Sequence, residues 1–165
     1  RQILQAGVYR TLCELFNTLP TYLSLCIQDP AAFRETWRRI QALVDAFQVK
    51  TLHPTLLLSV YLGAARGFLA LGEEDTALDL LEAYTDLATG DIYPLRLHGD
   101  AFFDQLDRWM EDTLTLGRDL PRDEALVRKS MTQALTAHPA FAPLADHFRF
   151  QALVGRLRAN EEVAP

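Results

Sequence analysis

The stretch YLGAARGFLALGEEDTALDLLEAY (61–84) decides the fold. Its apolar residues recur three and four apart on both sides of Gly72, so it reads as two helices joined by a tight turn. Pro54 opens the first helix, which is apolar nearly all round: Leu56, Leu57, Val60, Tyr61, Ala64, Ala65, Phe68 and Leu71. A helix of that composition sits inside, covered by neighbours on several sides. Ala65 and Ala77 are small enough for the two helices to approach closely. Tyr61, Phe68 and Leu81 fill the gap between them, and Gly72 permits the turn. Glu73, Glu74 and Asp75 put negative charge at the start of the second helix, where the helix dipole favours it. That helix is expected to reach about Ala88, with Ala77, Leu78, Leu81, Tyr84 and Leu87 inward.

The same periodicity extends outward in both directions. Residues 2–19 place Leu4, Val8, Leu12, Leu15 and Leu19 at helical spacing and predict an amphipathic helix, ended or restarted by Pro20, with a shorter helix over 21–28. Asp29-Pro30 is a helix-start signal, followed by the stripe Phe33, Trp37, Ile40, Val44 and Phe47. Residues 49–54 read as a connector and 89–99 as the longest loop. Asp100 reads as the cap of a helix carrying Phe102, Phe103, Leu106, Trp109, Met110 and Leu114, with Gly117 just past its end. Pro121 opens a further helix, with Leu126, Met131 and Leu135, that stops before Pro139. A last helix spans about 147–159. No segment alternates with a strand's period of two. The expectation is therefore an all-α domain over 1–165, built of seven or eight helices in antiparallel hairpins.

Composition narrows the class of partner. The 165 residues carry 22 acidic against 16 basic side chains, a net charge of −6, with mean hydropathy near zero. That balance suits a soluble protein and disfavours direct nucleic-acid binding, which needs a basic stripe. The most apolar window, 52–71, is interrupted by Ser59, Gly63, Arg66 and Gly67, which disfavours a membrane span. Cys13 and Cys26 read as buried thiols in a reducing, cytoplasmic setting rather than a disulfide framework. The chain starts at Arg1 in mid-pattern, so a longer parent protein is expected.

Residues 61–84 resemble one tetratricopeptide-type helical hairpin, with Tyr84 where that repeat prefers alanine and Thr89 where it often has proline. The hairpin is followed by IYPLRLHGDAFFDQLDRW (92–109), LPRDEALVRKSM (120–131) and HPAFAPLADHFRF (138–150). Over roughly 50–160 the combination resembles the carboxy-terminal half of Firmicutes-type helix-turn-helix transcriptional regulators. The resemblance implies a tetratricopeptide-like α-α superhelix acting as a regulatory, dimerising domain. It also implies a peptide or small-molecule effector, a homodimer, and DNA contact only through a domain outside this chain. The alternative is a free-standing adaptor that docks a protein partner. No catalytic residue, metal ligand or cofactor is expected: there is no HxxxH, CxxC, glycine-rich phosphate loop or GxSxG elbow.

Arg66 is the one charge on the central helix. At a groove-facing repeat position, with Ser59, Leu62 and Leu69, it would clamp a ligand carboxylate or phosphate. The competing reading is an arginine whose stem packs on the core while its head pairs with a neighbouring acid. Asp100, Asp104, Asp107 and Glu111 have the spacing of one helix face, read as a solvated face or as a dock for a cation or basic partner. His53, His98 and His138 fall at loops and helix boundaries, and His147 opens the last helix. Arg34, Arg38 and Arg39 read as a solvated face, and Trp37, Trp109, Phe102, Phe103 and Tyr61 as core or as a cavity lining.

Overall fold

The computed structural model describes residues 1–114 and 123–163. Among them eight α-helices form: α1 (Gln2–Leu25), α2 (Pro30–Ala46), α3 (Val49–Leu52), α4 (Pro54–Ala70), α5 (Glu74–Ala88), α6 (Leu106–Thr113), α7 (Glu124–Thr136) and α8 (Phe148–Glu161). A 3-10 turn follows α1, and a second, Pro139–Leu144, precedes α8. No sheet forms among the described residues. The all-α expectation holds. Gly117 and Pro121, expected to end one helix and open the next, lie outside the described residues.

α4 is the buried centre. Leu57, Val60, Ala64 and Ala65 are essentially inaccessible, and α4 packs against α5, α1, α2 and α3. The turn to α5 forms as the glycine demands. Gly72 adopts a left-handed φ of 78°, and the Glu73 N–H donates back to Phe68 O at 2.9 Å. This closes α4 with its last carbonyls satisfied. Ala77, Leu78 and Leu81 of α5 are wholly buried against α4. Tyr84, the departure from the repeat, is also buried and donates its hydroxyl to Met131 O on α7 at 2.9 Å. It thereby ties the hairpin to the next layer.

α1 corrects one expectation. The helix runs through Pro20 instead of ending there. Pro20 sits against Gly63 of α4, where an added Cβ would lie 3.0 Å from the proline's own Cβ. Packing against a neighbour keeps the helix going despite the lost backbone donor. Only part of the spaced apolar set turns inward. Ala6, Tyr9, Leu12, Phe16 and Leu23 are buried, while Leu4, Val8 and Leu15 face out with Tyr22 and Leu25. The helix carries two apolar stripes, and the one with the larger aromatic volume takes the core.

α2 starts where Asp29-Pro30 predicts, the Asp29 carboxylate accepting from the N–H groups of Ala31 and Ala32. Phe33 and Trp37 meet Phe68 edge-on, with ring centroids 5.0 and 6.3 Å apart. Gln48, at φ 48°, turns the chain into the single-turn α3, where a plain connector was expected. Asp100 caps a turn, not a helix: its carboxylate accepts from Phe102 and Phe103, and α6 begins only at Leu106. Asp100 and Asp104 therefore precede α6, and the four acids share no helix face. Asp104 takes Arg1 and Gln5 of α1, and Asp107 takes the Gly99 N–H. The arginines of α2 are ion-paired, Arg34 to Glu73 and Arg38 and Arg39 to Glu35. Those two guanidiniums hold the Glu35 carboxyl down to about 2.

Glycines in this core have opposite expected responses. A Cβ at Gly67 would lie 2.2 Å from the buried Phe33 ring, whereas one at Gly155 of α8 meets nothing within 4 Å. Gly67→Ala is expected to lower stability by about 1–3 kcal/mol through overpacking. Gly155→Ala is expected to raise it by about 0.5–1 kcal/mol through helix propensity. Denaturant midpoints of the two variants check this; a stabilised Gly67→Ala would mean that α2 does not press on α4 there.

Candidate functional site

A groove runs over α4 between α1 and α7. It consists of two hollows of about 880 and 520 Å³, and Asn17, Ser59, Leu62 and Ala134 line both. It arises because α7 packs on α8 and on the Pro139–Leu144 turn, not closely on α4. The larger hollow has an apolar floor of Leu56, Leu58 and Leu62, walled by Val127, Met131 and Ala134 and bounded by Pro94 and Leu95. The smaller hollow is closed by Pro20, Pro139 and Phe141 and carries Arg66, Gln133 and His138. Concave apolar space of several hundred Å³ with a few convergent polar groups is what ligand sites look like.

The sequence-derived residues distribute unevenly. Ser59 and Leu62 line both hollows and Arg66 the smaller one. Leu69 lines neither and is half-buried against the core. Arg66 makes no ion pair among the described residues; its Nη1 stands 3.0 Å from Nε2 of His138. Sequence reasoning placed His138 at a helix boundary without linking it to Arg66. The available signal was His138-Pro139, the start of a turn whose Ala140 N–H is accepted by His138 Nδ1 at 3.1 Å.

A third hollow, of about 590 Å³, lies under the 90–98 loop beside Lys50 and Thr51. His53 borders both this hollow and the larger one of the groove. Its ring stacks on Tyr9 with centroids 6.2 Å apart, and Nδ1 meets Thr55 Oγ1 at 3.0 Å. The Tyr9 hydroxyl is buried beside Cys13, and burial, with the neighbouring thiol, pushes its pKa up.

Arg128 was not singled out by sequence. It is buried at 7% exposure, with its guanidinium 3.6 Å from the Tyr93 ring centroid. It pairs with Glu124 at 2.6 Å and reaches Asn160 on α8. Asn160 in turn donates to Ala88 O on α5, as does the Tyr93 hydroxyl. This network joins α7 to α5, α8 and the loop, and so fixes the far wall of the groove. Arg149 to Asp79 and Glu82, and Arg156 to Asp86, add surface pairs between α8 and α5.

No protein-family model matches the chain, and no curated protein or solved structure matches it significantly. Among the described residues no group of three or more metal-ligating side chains comes together, and no helix is long and apolar enough to cross a membrane. What the arrangement offers is recognition: a grooved, compact helical domain consistent with a protein-interaction module.

His53 gives this region a pH dependence. Burial, foremost, and then the like charge of His98 lower its pKa below the ordinary histidine value. The unfolded chain therefore takes up that proton first. Stability is complete above about pH 6.5 and falls as the pH drops below it. Melting midpoints between neutral and mildly acidic pH should show this loss. His53→Phe, which keeps a ring on Tyr9 but cannot titrate, should flatten the profile; an unchanged slope would place the acid sensitivity elsewhere.

Proposed function

We propose that this domain recognises a peptide segment or peptide-sized effector in the α1–α4–α7 groove. The observation that carries the reading is the groove's continuity past Ser59 and Leu62 to a guanidinium that no carboxylate of the described residues pairs. An apolar floor supplies affinity, and polar groups in both hollows, among them Glu124 and Ser130 in one and Arg66 and His138 in the other, fix orientation. The hairpin of α4 and α5 with its small residues supports a tetratricopeptide-like arrangement. With the sequence resemblance over 50–160, it supports the regulatory half of a helix-turn-helix transcription factor. In that setting the acidic chain senses and dimerises while DNA is read by a separate domain.

Self-association has a fitting surface. Leu4, Val8, Thr11, Leu15, Thr18, Tyr22 and Leu25 follow alternating four- and three-residue steps along the exposed side of α1. That is the a/d pattern by which one helix packs into another, sustained over about 32 Å of helix. A second copy offering the same stripe would cover it. Leu15→Glu combined with Tyr22→Glu should convert a dimer to a folded monomer in sedimentation velocity; a wild-type chain already monomeric at high micromolar concentration would remove the dimer from the proposal.

The groove itself is tested by peptide display. Random peptides selected on the wild-type chain should fail to bind Ala134→Trp, which fills the space shared by both hollows while leaving the melting midpoint near wild type. Selected peptides that bind the variant equally would place recognition elsewhere. In a mobility-shift assay at about 0.15 M salt, the chain alone should show no sequence-selective binding to duplex DNA.

A further inference from the structure

His138 faces hydrogen-bond donors from both sides. Its Nδ1 receives the Ala140 N–H at 3.1 Å, and its Nε2 stands 3.0 Å from Arg66 Nη1. A guanidinium has only donors, and a neutral imidazole has a single lone pair. Whichever tautomer forms, one N–H is set against another N–H. A protonated ring would be worse, with donors opposed on both sides. An acceptor from outside would relieve that opposition. The cavity beside the pair, of about 520 Å³, is where one can enter.

We propose that Arg66 and His138 form the head-group site for a carboxylate. The inference rests on the groove being a binding site. With Nδ1 held as acceptor by Ala140, His138 presents Nε2–H into the same space as the Arg66 fork. One carboxylate oxygen accepts from the imidazole and the other from the guanidinium, and the opposed donors become convergent ones. The surroundings select a carboxylate over a phosphate. Among the described residues Arg66 is the one arginine or lysine lining this hollow; Asn17, Ser59 and Gln133 are neutral, and the walls include Pro20 and Phe141. One positive charge in a largely apolar recess matches one negative charge. The rest of the ligand then extends along the apolar floor towards Leu56 and Met131. The carboxylate can be a peptide's C-terminus or a small aliphatic acid.

The test is nitrogen-detected NMR of Arg66 and His138 during titration with hexanoate, hexanamide and inorganic phosphate. Hexanoate should shift both side chains, and the amide and phosphate should leave them in place. Arg66→Gln and Arg66→Lys should each weaken hexanoate roughly tenfold or more, as expected for loss of a charge-assisted hydrogen bond. His138→Asn keeps an acceptor for the turn's N–H but loses Nε2–H, and should weaken it as well. Hexanamide or phosphate acting like hexanoate, or Arg66→Gln binding as wild type, overturns the site. Display-selected peptides made with free and amidated C-termini separate the sources. A free acid that binds more tightly than both its amide and hexanoate identifies a peptide terminus. Hexanoate outcompeting the free acid identifies a small acid. Peptides that bind the groove equally as acid and amide keep the groove and reject the carboxylate site.

Discussion

Everything in this fold depends on how closely other elements can approach α4. A helix apolar on all sides gains nothing from water and must be wrapped. Wrapping at close range requires small residues where its neighbours cross. Gly63 receives Pro20 of α1, Gly67 receives the Phe33 ring of α2, and Ala64 and Ala65 are fully inaccessible. Each of the two glycines thus corresponds to a larger side chain arriving from another helix. The stability of the domain rests on this pairing of notch and knob more than on its surface ion pairs. Exposed pairs such as Arg38–Glu35 contribute little each.

The groove is the side of α4 that this wrapping leaves open. α1, α2, α3 and α5 close on the helix, while α7 is held away by its commitments to α8 and the Pro139–Leu144 turn. Arg128 makes that commitment firm. A buried guanidinium tolerates few alternative positions, because losing any partner leaves a charge unsatisfied. Stacked on Tyr93 and bonded to Glu124 and Asn160, it sets α7 against α8 and the loop. The opening therefore follows from a rigid frame rather than from loose packing, and a preformed groove spends less affinity on ordering itself.

How much of this was legible follows from the range of each signal. Local chemistry spoke clearly: the Asp29-Pro30 helix start, Gly72 at the turn and the all-round apolar run of 54–71 each acted where the sequence placed them. Signals needing a partner from far along the chain did not. Pro20 looked like a terminator because Gly63, which accommodates it, is 43 residues away. Of the apolar residues spaced along α1, Leu12 and Leu19 turn inward while Leu4, Val8 and Leu15 face out, because two apolar stripes share the helix and only the rest of the molecule decides which is covered. Asp100 was rightly a cap, but of a turn, since Asx geometry is common to both. Arg66 stood out as a lone charge. His138, 72 residues on, could not be joined to it by any periodicity.

The two ends of the groove differ in what they can discriminate, and that difference follows from their composition. The Leu56–Met131 end has an aliphatic and thioether floor, with His53, Arg96, Glu124 and Ser130 at its margins. Such a floor rewards apolar volume but distinguishes poorly between ligands of similar size. The Arg66–His138 end is made of fixed donors: one ring is pinned by the Ala140 N–H, and the other group is a planar fork on a helix buried along most of its length. A polar group that leaves such donors unmatched loses far more than a misplaced methyl does. On the proposed function, ligand register would be set at the Arg66–His138 end, and the other end would add affinity to whatever that end admits. Because α4 carries Arg66 and also packs against α1, α2, α3 and α5, a ligand held there as proposed would contact the helix around which the rest of the core is built.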